Sequence, residues 1–201
     1  MIRTNIQFVS TNGRQAKTLV VTSSGAGEGK STTAANLAVV VAQSGQQVLL
    51  VDADMRKPVL SKIFQLSGTH GLSNLLSSLE SSLGEELQQT TIKGLNILPS
   101  GPIPPNPSEL LSSQRMTQLM QEVSQLYDMV IFDLPPVVAV TDAQILASKA
   151  DGTLLVVRER NSRKEALTKA KELLEIAQAK ILGVVYNGVE KSKENNYYYE
   201  N

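Results

Sequence analysis

The chain is 201 residues long and 41% hydrophobic, enough to bury one sizeable core and within the usual span of a single domain. Its 19 Lys and Arg balance 19 Asp and Glu, so no global field favours nucleic acid or an anionic membrane. With no cysteine and one histidine, His70, the chain has no means of building disulfide scaffolds, thiolate metal sites, thiol nucleophiles or histidine metal clusters.

The N-terminal MIRTNIQF has neither a long apolar core nor a cleavage site. The longest apolar run, LAVVVA at Leu37–Ala42, falls far short of the roughly 20 residues that a membrane span requires. The expectation is a chain that neither spans a membrane nor carries its own export signal, which suits a reducing cytoplasm.

The first element is TLVVT (Thr18–Thr22), a β-branched run that leads into SGAGEGKS (Ser24–Ser31) and then a helical pattern over Lys30–Ser44, ended by Gly45. Further strand-like runs follow at QVLLVD (Gln47–Asp52), LNILP (Leu95–Pro99), DMVIFD (Asp128–Asp133), GTLLVV (Gly152–Val157) and ILGVVYN (Ile181–Asn187). They are continuous rather than alternating, as strands buried on both faces are. Helical patterns cover Ser108–Leu126, with Ser108 as its cap, and Ser162–Ala177, with Glu165 and Lys169 at i,i+4 spacing. This interleaving predicts an α/β fold, a doubly wound and mostly parallel sheet flanked by helices, with ligands at the C-terminal edge of the strands.

The segment SGPIPPNP at residues 100–107 carries four prolines and is neither helix nor inner strand; it reads equally as a rigid brace and as a functional loop. The last residues, EKSKENNYYYEN (Glu190–Asn201), lack apolar periodicity. One domain is therefore predicted over residues 1–189 and a disordered tail over 190–201.

Strand, glycine-rich loop and helix in succession form the context of a phosphate-binding loop. Glycines at 25, 27 and 29 let backbone N–H groups converge on phosphate oxygens, and the helix start adds the positive end of its dipole. Lys30 neutralises phosphate charge, and the Ser31 hydroxyl can ligate Mg²⁺. The strict G-x-x-x-x-G-K-[ST] pattern fails at its first position, where Ser24 stands, while the GKS core holds. Gly25, Ala26, Gly27, Glu28, Gly29, Lys30, Ser31 and Thr32 are thus the candidate ATP-binding residues, and the fold is expected to be of the P-loop NTPase type.

The second strand ends in VDADMRKP, with Asp52 at the sheet edge and Asp54 two residues on, pointing the same way if the extended conformation continues. Two carboxylates beside a metal-bound triphosphate can order Mg²⁺ and polarise an incoming hydroxyl, whereas two without a cation repel. Arg56 and Lys57 read either as shields of phosphate charge or as plain surface residues. Asp133, after MVIF, has the Walker B arrangement of a carboxylate that holds Mg²⁺. The metal candidates are Ser31, Asp52 and Asp133, and the catalytic candidates Lys30, Asp52 and Asp54. Three of the five tyrosines stand together at Tyr197, Tyr198 and Tyr199 in a polar tail, where packing does not explain them. They read as a docking element or as sites of modification.

These residues together resemble the bacterial tyrosine kinases of capsule and exopolysaccharide biosynthesis, specifically the separate cytoplasmic kinase subunit of Gram-positive organisms. The resemblance rests on RTNIQF (Arg3–Phe8), TSSGAGEGKSTTAANLA, LLVDADMRKP, GLSNLL (Gly71–Leu76), LPSGPIPPNPSELL (Leu98–Leu111), YDMVIFDLPPV and the tyrosine tail. It implies autophosphorylation, in which Mg·ATP gives its γ-phosphoryl group to the tail tyrosines of a neighbouring subunit in a ring-shaped homo-oligomer. On this chain, Lys30 and Ser31 take the phosphate and Mg²⁺ roles, Asp52 activates the tyrosine hydroxyl with Asp54 beside it, and Asp133 is the Walker B acid. Tyr197, Tyr198 and Tyr199 are the acceptors, and Asn187 resembles the base-contacting Asn of related P-loop proteins. The implied partners are a transmembrane chain-length regulator, whose cytoplasmic tail activates the kinase at the inner face of the membrane, and a cognate tyrosine phosphatase. Two features depart from the family. Its members carry a longer N-terminal helix with Glu and Arg residues, of which Arg3 marks the end here, and their tail tyrosines are often more numerous and spread out.

The competing reading is an ATP-hydrolysing positional switch of the partition or septum-placement type. Such proteins resemble KGGxGK at this loop, with a lysine that reaches across the dimer. Gly25 stands at that position, and no lysine lies between Lys17 and Lys30.

Overall fold

Among the described residues seven strands build the sheet: β1 (Thr18–Ser23), β2 (Val48–Asp52), β3 (Gln88–Gln89), β4 (Leu95–Leu98), β5 (Met129–Asp133), β6 (Gly152–Arg158) and β7 (Ile181–Asn187). The structure, a computed structural model, describes residues 16–78 and 80–189. The strand order is β3-β4-β2-β5-β1-β6-β7, with β3 antiparallel to β4 and every other pair parallel. Helices among the described residues are α1 (Lys30–Gln43), α2 (Leu60–Phe64), α3 (Leu72–Ser77), α4 (Leu83–Glu86), α5 (Pro107–Ser112), α6 (Gln114–Leu126), α7 (Asp142–Ala147) and α8 (Lys164–Ile176).

The continuous apolar runs are explained by the two faces they serve. Leu19, Val21, Val48, Leu50, Met129 and Ile131 point to one side and pack with Ala34, Leu37, Ala38 and Val41 of α1. Their neighbours Val20, Leu49, Val51, Val130 and Phe132 point to the other side, against Met116, Leu119 and Val123 of α6, Leu146 of α7 and Leu174 of α8. Full burial of each large side chain contributes roughly 1.5–3 kcal/mol. The alternation fixes where the strand ends point: Asp52 and Asp133 follow Leu50 and Ile131 by two residues and emerge on the α1 side. Burial on both faces fails at the edge strand β7, where Val184 and Tyr186 are exposed.

The helix expected over Ser108–Leu126 is two helices. Ser113 is extended at φ −62° and ψ 157°, and its hydroxyl accepts the Met116 N–H at 3.1 Å, which caps a fresh helix. The first of the two starts at Pro107, whose missing N–H costs nothing at that position, with Asn106 rather than Ser108 before it. The helix expected over Ser162–Ala177 begins at Lys164, because Ser162 turns its hydroxyl to the Arg158 N–H at 2.7 Å. Lys169 pairs with Glu172 at 3.5 Å instead of with Glu165. The stop at Gly45 is as expected, with φ 92° and its N–H donated to the Ala42 carbonyl at 2.9 Å. Arg3 and the tail from Glu190, with Tyr197, Tyr198 and Tyr199, lie outside the described residues.

Candidate active site

β1 sits where the strand order reverses, between β5 and β6, and the loop leaving it crosses the C-terminal edge of the sheet. Gly27 and Gly29 take φ 75° and 92°, which side chains rarely adopt, and α1 starts at Lys30 with the Thr33 N–H on the Gly29 carbonyl at 2.8 Å. Ala26, Gly27 and Thr32 are exposed, while Gly25, Gly29, Lys30 and Ser31 are half-buried. Asn187 arrives from the end of β7. Its Nδ2 donates to the Glu28 carbonyl at 3.2 Å, and a Cβ on Gly29 would meet that nitrogen at 2.2 Å.

The side chain of Glu28 turns into the protein. It is buried, and its carboxylate accepts the Ser24 hydroxyl at 2.8 Å, the Gly25 N–H at 2.9 Å and the Ser162 hydroxyl. Ser24, at the missing consensus glycine, is thereby part of a brace. Arg158 adds a second one, with its Nη1 on the Gly27 carbonyl at 3.2 Å. Neither Arg158 nor Ser162 carried a sequence signal, since both lie more than 130 residues along the chain from their partners.

The acids meet at the head of α1. Asp52 and Asp133 are register partners on β2 and β5, both fully buried. Lys30 Nζ stands 2.9 Å from Asp54 Oδ2, 3.5 Å from Asp133 Oδ1 and 3.1 Å from the Ser31 hydroxyl. Asp52 Oδ2 accepts the N–H groups of Val59 and Leu60 at 3.0 and 2.9 Å, so it caps α2. Asp54 instead takes Lys30 and the Lys57 N–H at 3.1 Å, so the two acids of VDADMRKP have separate partners.

Asp52 Oδ1 and both oxygens of Asp133 are buried without a hydrogen-bond partner. Burial, with the neighbouring Asp133, pushes Asp52 up to about 7, against the hold of its two N–H donors. Burial likewise pushes Asp133 up to about 6, with the Lys30 charge restraining it. Burial pulls Lys30 down, but Asp133 and Asp54 outweigh it and leave the ammonium raised. Buried carboxylate oxygens on neighbouring strand ends, with a hydroxyl near by and only the Lys30 ammonium to offset them, suit a divalent cation. No group of three or more His, Asp or Glu side chains forms a protein-only cage among the described residues, so phosphate and water would complete its shell.

Arg56 is not a phosphate shield. Its Nε and Nη2 bind Asp142 at 2.9 and 3.0 Å, and Nη2 also reaches the Ser108 hydroxyl at 3.0 Å. Lys57 is exposed, and its backbone N–H goes to Asp54 at 3.1 Å.

The chain matches the family described as an AAA domain over residues 16–181. It is 52% identical over 198 residues to the tyrosine-protein kinase YwqD of Bacillus subtilis (strain 168), covering 98% of this chain and 83% of that protein. The chain belongs to the bacterial tyrosine-protein kinases. The same family likeness holds for the tyrosine-protein kinase CpsD of Streptococcus agalactiae, at 41% identity over 95% of this chain and 82% of that protein. Among solved structures, the chimerical protein CapA2B2 superposes with TM-score 0.89 at 45% identity, covering 94% of this chain and 83% of that one. The cell division ATPase MinD of Pyrococcus furiosus, at TM-score 0.73 and 24% identity over 89% of this chain and 74% of that one, shares the fold alone. The P-loop kinase fold implies nucleotide binding, and no helix among the described residues is long and apolar enough to cross a membrane.

Proposed function

We propose that the protein transfers the γ-phosphoryl group of ATP to tyrosine hydroxyls, first those of Tyr197, Tyr198 and Tyr199 on a neighbouring subunit of a homo-oligomer, and so regulates capsular or extracellular polysaccharide synthesis. The observation that carries this reading is the meeting of Lys30, Asp52, Asp54 and Asp133 at the head of a phosphate-binding loop in a tyrosine kinase fold. The loop from Gly25 to Thr32 binds the phosphates, with Asn187 beside it for the base. Ser31, Asp52 and Asp133 would hold Mg²⁺, which when bound offsets the negative charge of the phosphates.

Phosphoryl transfer demands little covalent help, so the protein's part is positioning and charge. The ion pair to Asp54 holds the Lys30 ammonium at one place, ready for the charge that grows as the γ-phosphoryl leaves. Asp52 keeps one oxygen, Oδ1, without a hydrogen-bond partner among the described residues, open to Mg²⁺ or to the incoming tyrosine hydroxyl. We further propose that residues 1–189 form the catalytic domain and 190–201 the acceptor tail. The cytoplasmic tail of a transmembrane chain-length regulator switches it on at the inner face of the membrane, and a cognate tyrosine phosphatase resets it. In support, the chain matches 27% of the putative tyrosine-protein kinase AmsA of Erwinia amylovora, where this domain is one part of a longer polypeptide.

Mixing decides whether transfer is between chains. A Lys30→Met chain, incubated with wild type and Mg·ATP and then separated by its tag, gains phosphotyrosine if transfer is in trans. Phosphate confined to the wild-type chain would overturn that part of the reading.

A further inference from the structure

The buried carboxylate of Asp142 has no place in the chemistry above, yet it is fully buried at the start of α7 and gathers three side-chain hydrogen bonds. Arg56 donates to both of its oxygens, at 2.9 Å to Oδ2 and 3.0 Å to Oδ1, in the two-pronged geometry that only a guanidinium offers a carboxylate. The Ser108 hydroxyl donates to Oδ1 at 2.7 Å and accepts from Arg56 Nη2 at 3.0 Å. The Asp142 hydrogen bond is the main reason that the guanidinium is held charged above its ordinary value.

These three residues come from three separate segments of the chain, one turn and the first turns of two helices. Arg56 lies in the turn after β2, Ser108 at the head of α5 after the proline segment, and Asp142 at the end of the loop that follows β5 and Asp133. The turn that bears Arg56 also bears Asp52 and Asp54, and within it each acid is already engaged by the turn's own N–H groups, from Val59, Leu60 and Lys57. The inner part of the turn is also bonded outward, Ala53 N–H to the Asp133 carbonyl at 2.9 Å and Asp54 to Lys30 at 2.9 Å, and the fork to Asp142 ties its outer part, at Arg56, to the segment that follows Asp133.

We infer that Arg56, through Asp142 and Ser108, is a positioning residue that holds the outer part of the turn and, beside these bonds, keeps Asp54 in place against Lys30. The inference rests on the kinase reading of the site. The nucleotide is held from the other side, by the loop of Gly25–Ser31 with its own braces on Glu28 and Arg158. Loss of the tie therefore lowers kcat and leaves the KM for ATP alone. Misplacement by about 1 Å in such a site costs on the order of 100-fold.

The test is steady-state tyrosine phosphorylation by Arg56→Lys, Arg56→Ala, Asp142→Asn and the double variant Arg56→Ala with Asp142→Asn, each checked for a cooperative thermal transition. The double variant strands no buried charge and stands in for a single variant that fails to fold. Each is expected to lose 10- to 100-fold in kcat with the KM for ATP within twofold of wild type, and the double variant to be no worse than Arg56→Ala. Free guanidinium ion is expected to restore part of the kcat of Arg56→Ala. A raised KM for ATP at unchanged kcat would instead make Arg56 a phosphate contact, and wild-type kcat in the double variant would remove the positioning role. Wild type that hydrolyses ATP without phosphorylating tyrosine would fail the kinase reading itself, and is read separately from the variants.

Discussion

Asp52 and Asp133 stand opposite each other on β2 and β5, fully buried, with three of their four oxygens lacking a hydrogen-bond partner among the described residues. The Lys30 ammonium, 3.5 Å from Asp133, offsets part of their charge, and a proton or a divalent cation offsets the rest. In the unfolded chain both ionise near 3.8, while in the folded chain Asp52 holds its proton up to about 7 and Asp133 up to about 6. The folded state binds the extra protons, so this stabilisation is complete below about pH 4 and is lost as pH rises through 6 and 7. Without divalent cation, the melting temperature should therefore fall between pH 5 and pH 8. In Asp52→Asn the fall should be smaller, with stability at pH 8 above wild type by roughly 1–3 kcal/mol. Identical pH profiles for the two proteins, by thermal melts in chelator, would contradict the account.

Lys30→Met should do the reverse to stability while also ending catalysis. It takes away the ammonium at 2.9 Å from Asp54 and 3.5 Å from Asp133 and strands buried carboxylates, a loss of about 3 kcal/mol at pH 8. Denaturant titration measures the first effect and phosphotyrosine formation the second, which should fall at least 100-fold. A Lys30→Met protein as stable as wild type at pH 8 would mean that the ion pairs are not formed in solution.

Glu28→Gln separates a brace from a charge. If the carboxylate's work is to hold Ser24, Gly25 and Ser162, the amide supports the loop less well and ATP binds about 3- to 10-fold more weakly. Were its negative charge felt mainly by the phosphates, the same change would tighten binding. Titration with a fluorescent ATP analogue distinguishes the two signs.

Gly71 opens GLSNLL, which docks on the end of β4 through Leu72 N–H to the Pro99 carbonyl and Ser73 N–H to the Ser100 carbonyl, both at 2.8 Å. A Cβ at Gly71 would lie 2.0 Å from the Pro99 oxygen, so the backbone itself must shift. Gly71→Ala is expected to cost roughly 1–3 kcal/mol by urea unfolding, and a change under about 0.5 kcal/mol would show that the docking is loose.

The sequence made the central strands and α1 legible because burial on two faces leaves continuous apolar runs, and it made the site legible because Lys30, Asp52 and Asp133 sit at strand and helix ends. What it hid is of two kinds. The pair Gln88–Gln89 forms β3 by backbone bonds to β4 with no apolar signal, and Ser113 breaks a helix that its apolar spacing favours. For Arg56 and Glu28 the partners were hidden for another reason. Each lies in a motif where charge suggests phosphate chemistry, while its partner, Asp142 or Ser162, is 86 or 134 residues away and known only from the fold.

The central claim is that this site delivers phosphate to tail tyrosines, and intact-mass followed by tail-peptide mass spectrometry tests it most directly. The chain is incubated with Mg·ATP, with and without a candidate activator tail, beside Lys30→Met. The account predicts mass gains in phosphate units confined to Tyr197–Tyr199 and absent from Lys30→Met. ADP release with the activator present and no phosphorylated tyrosine would contradict it, and would make the protein an ATP-driven switch whose three tyrosines serve as a docking element.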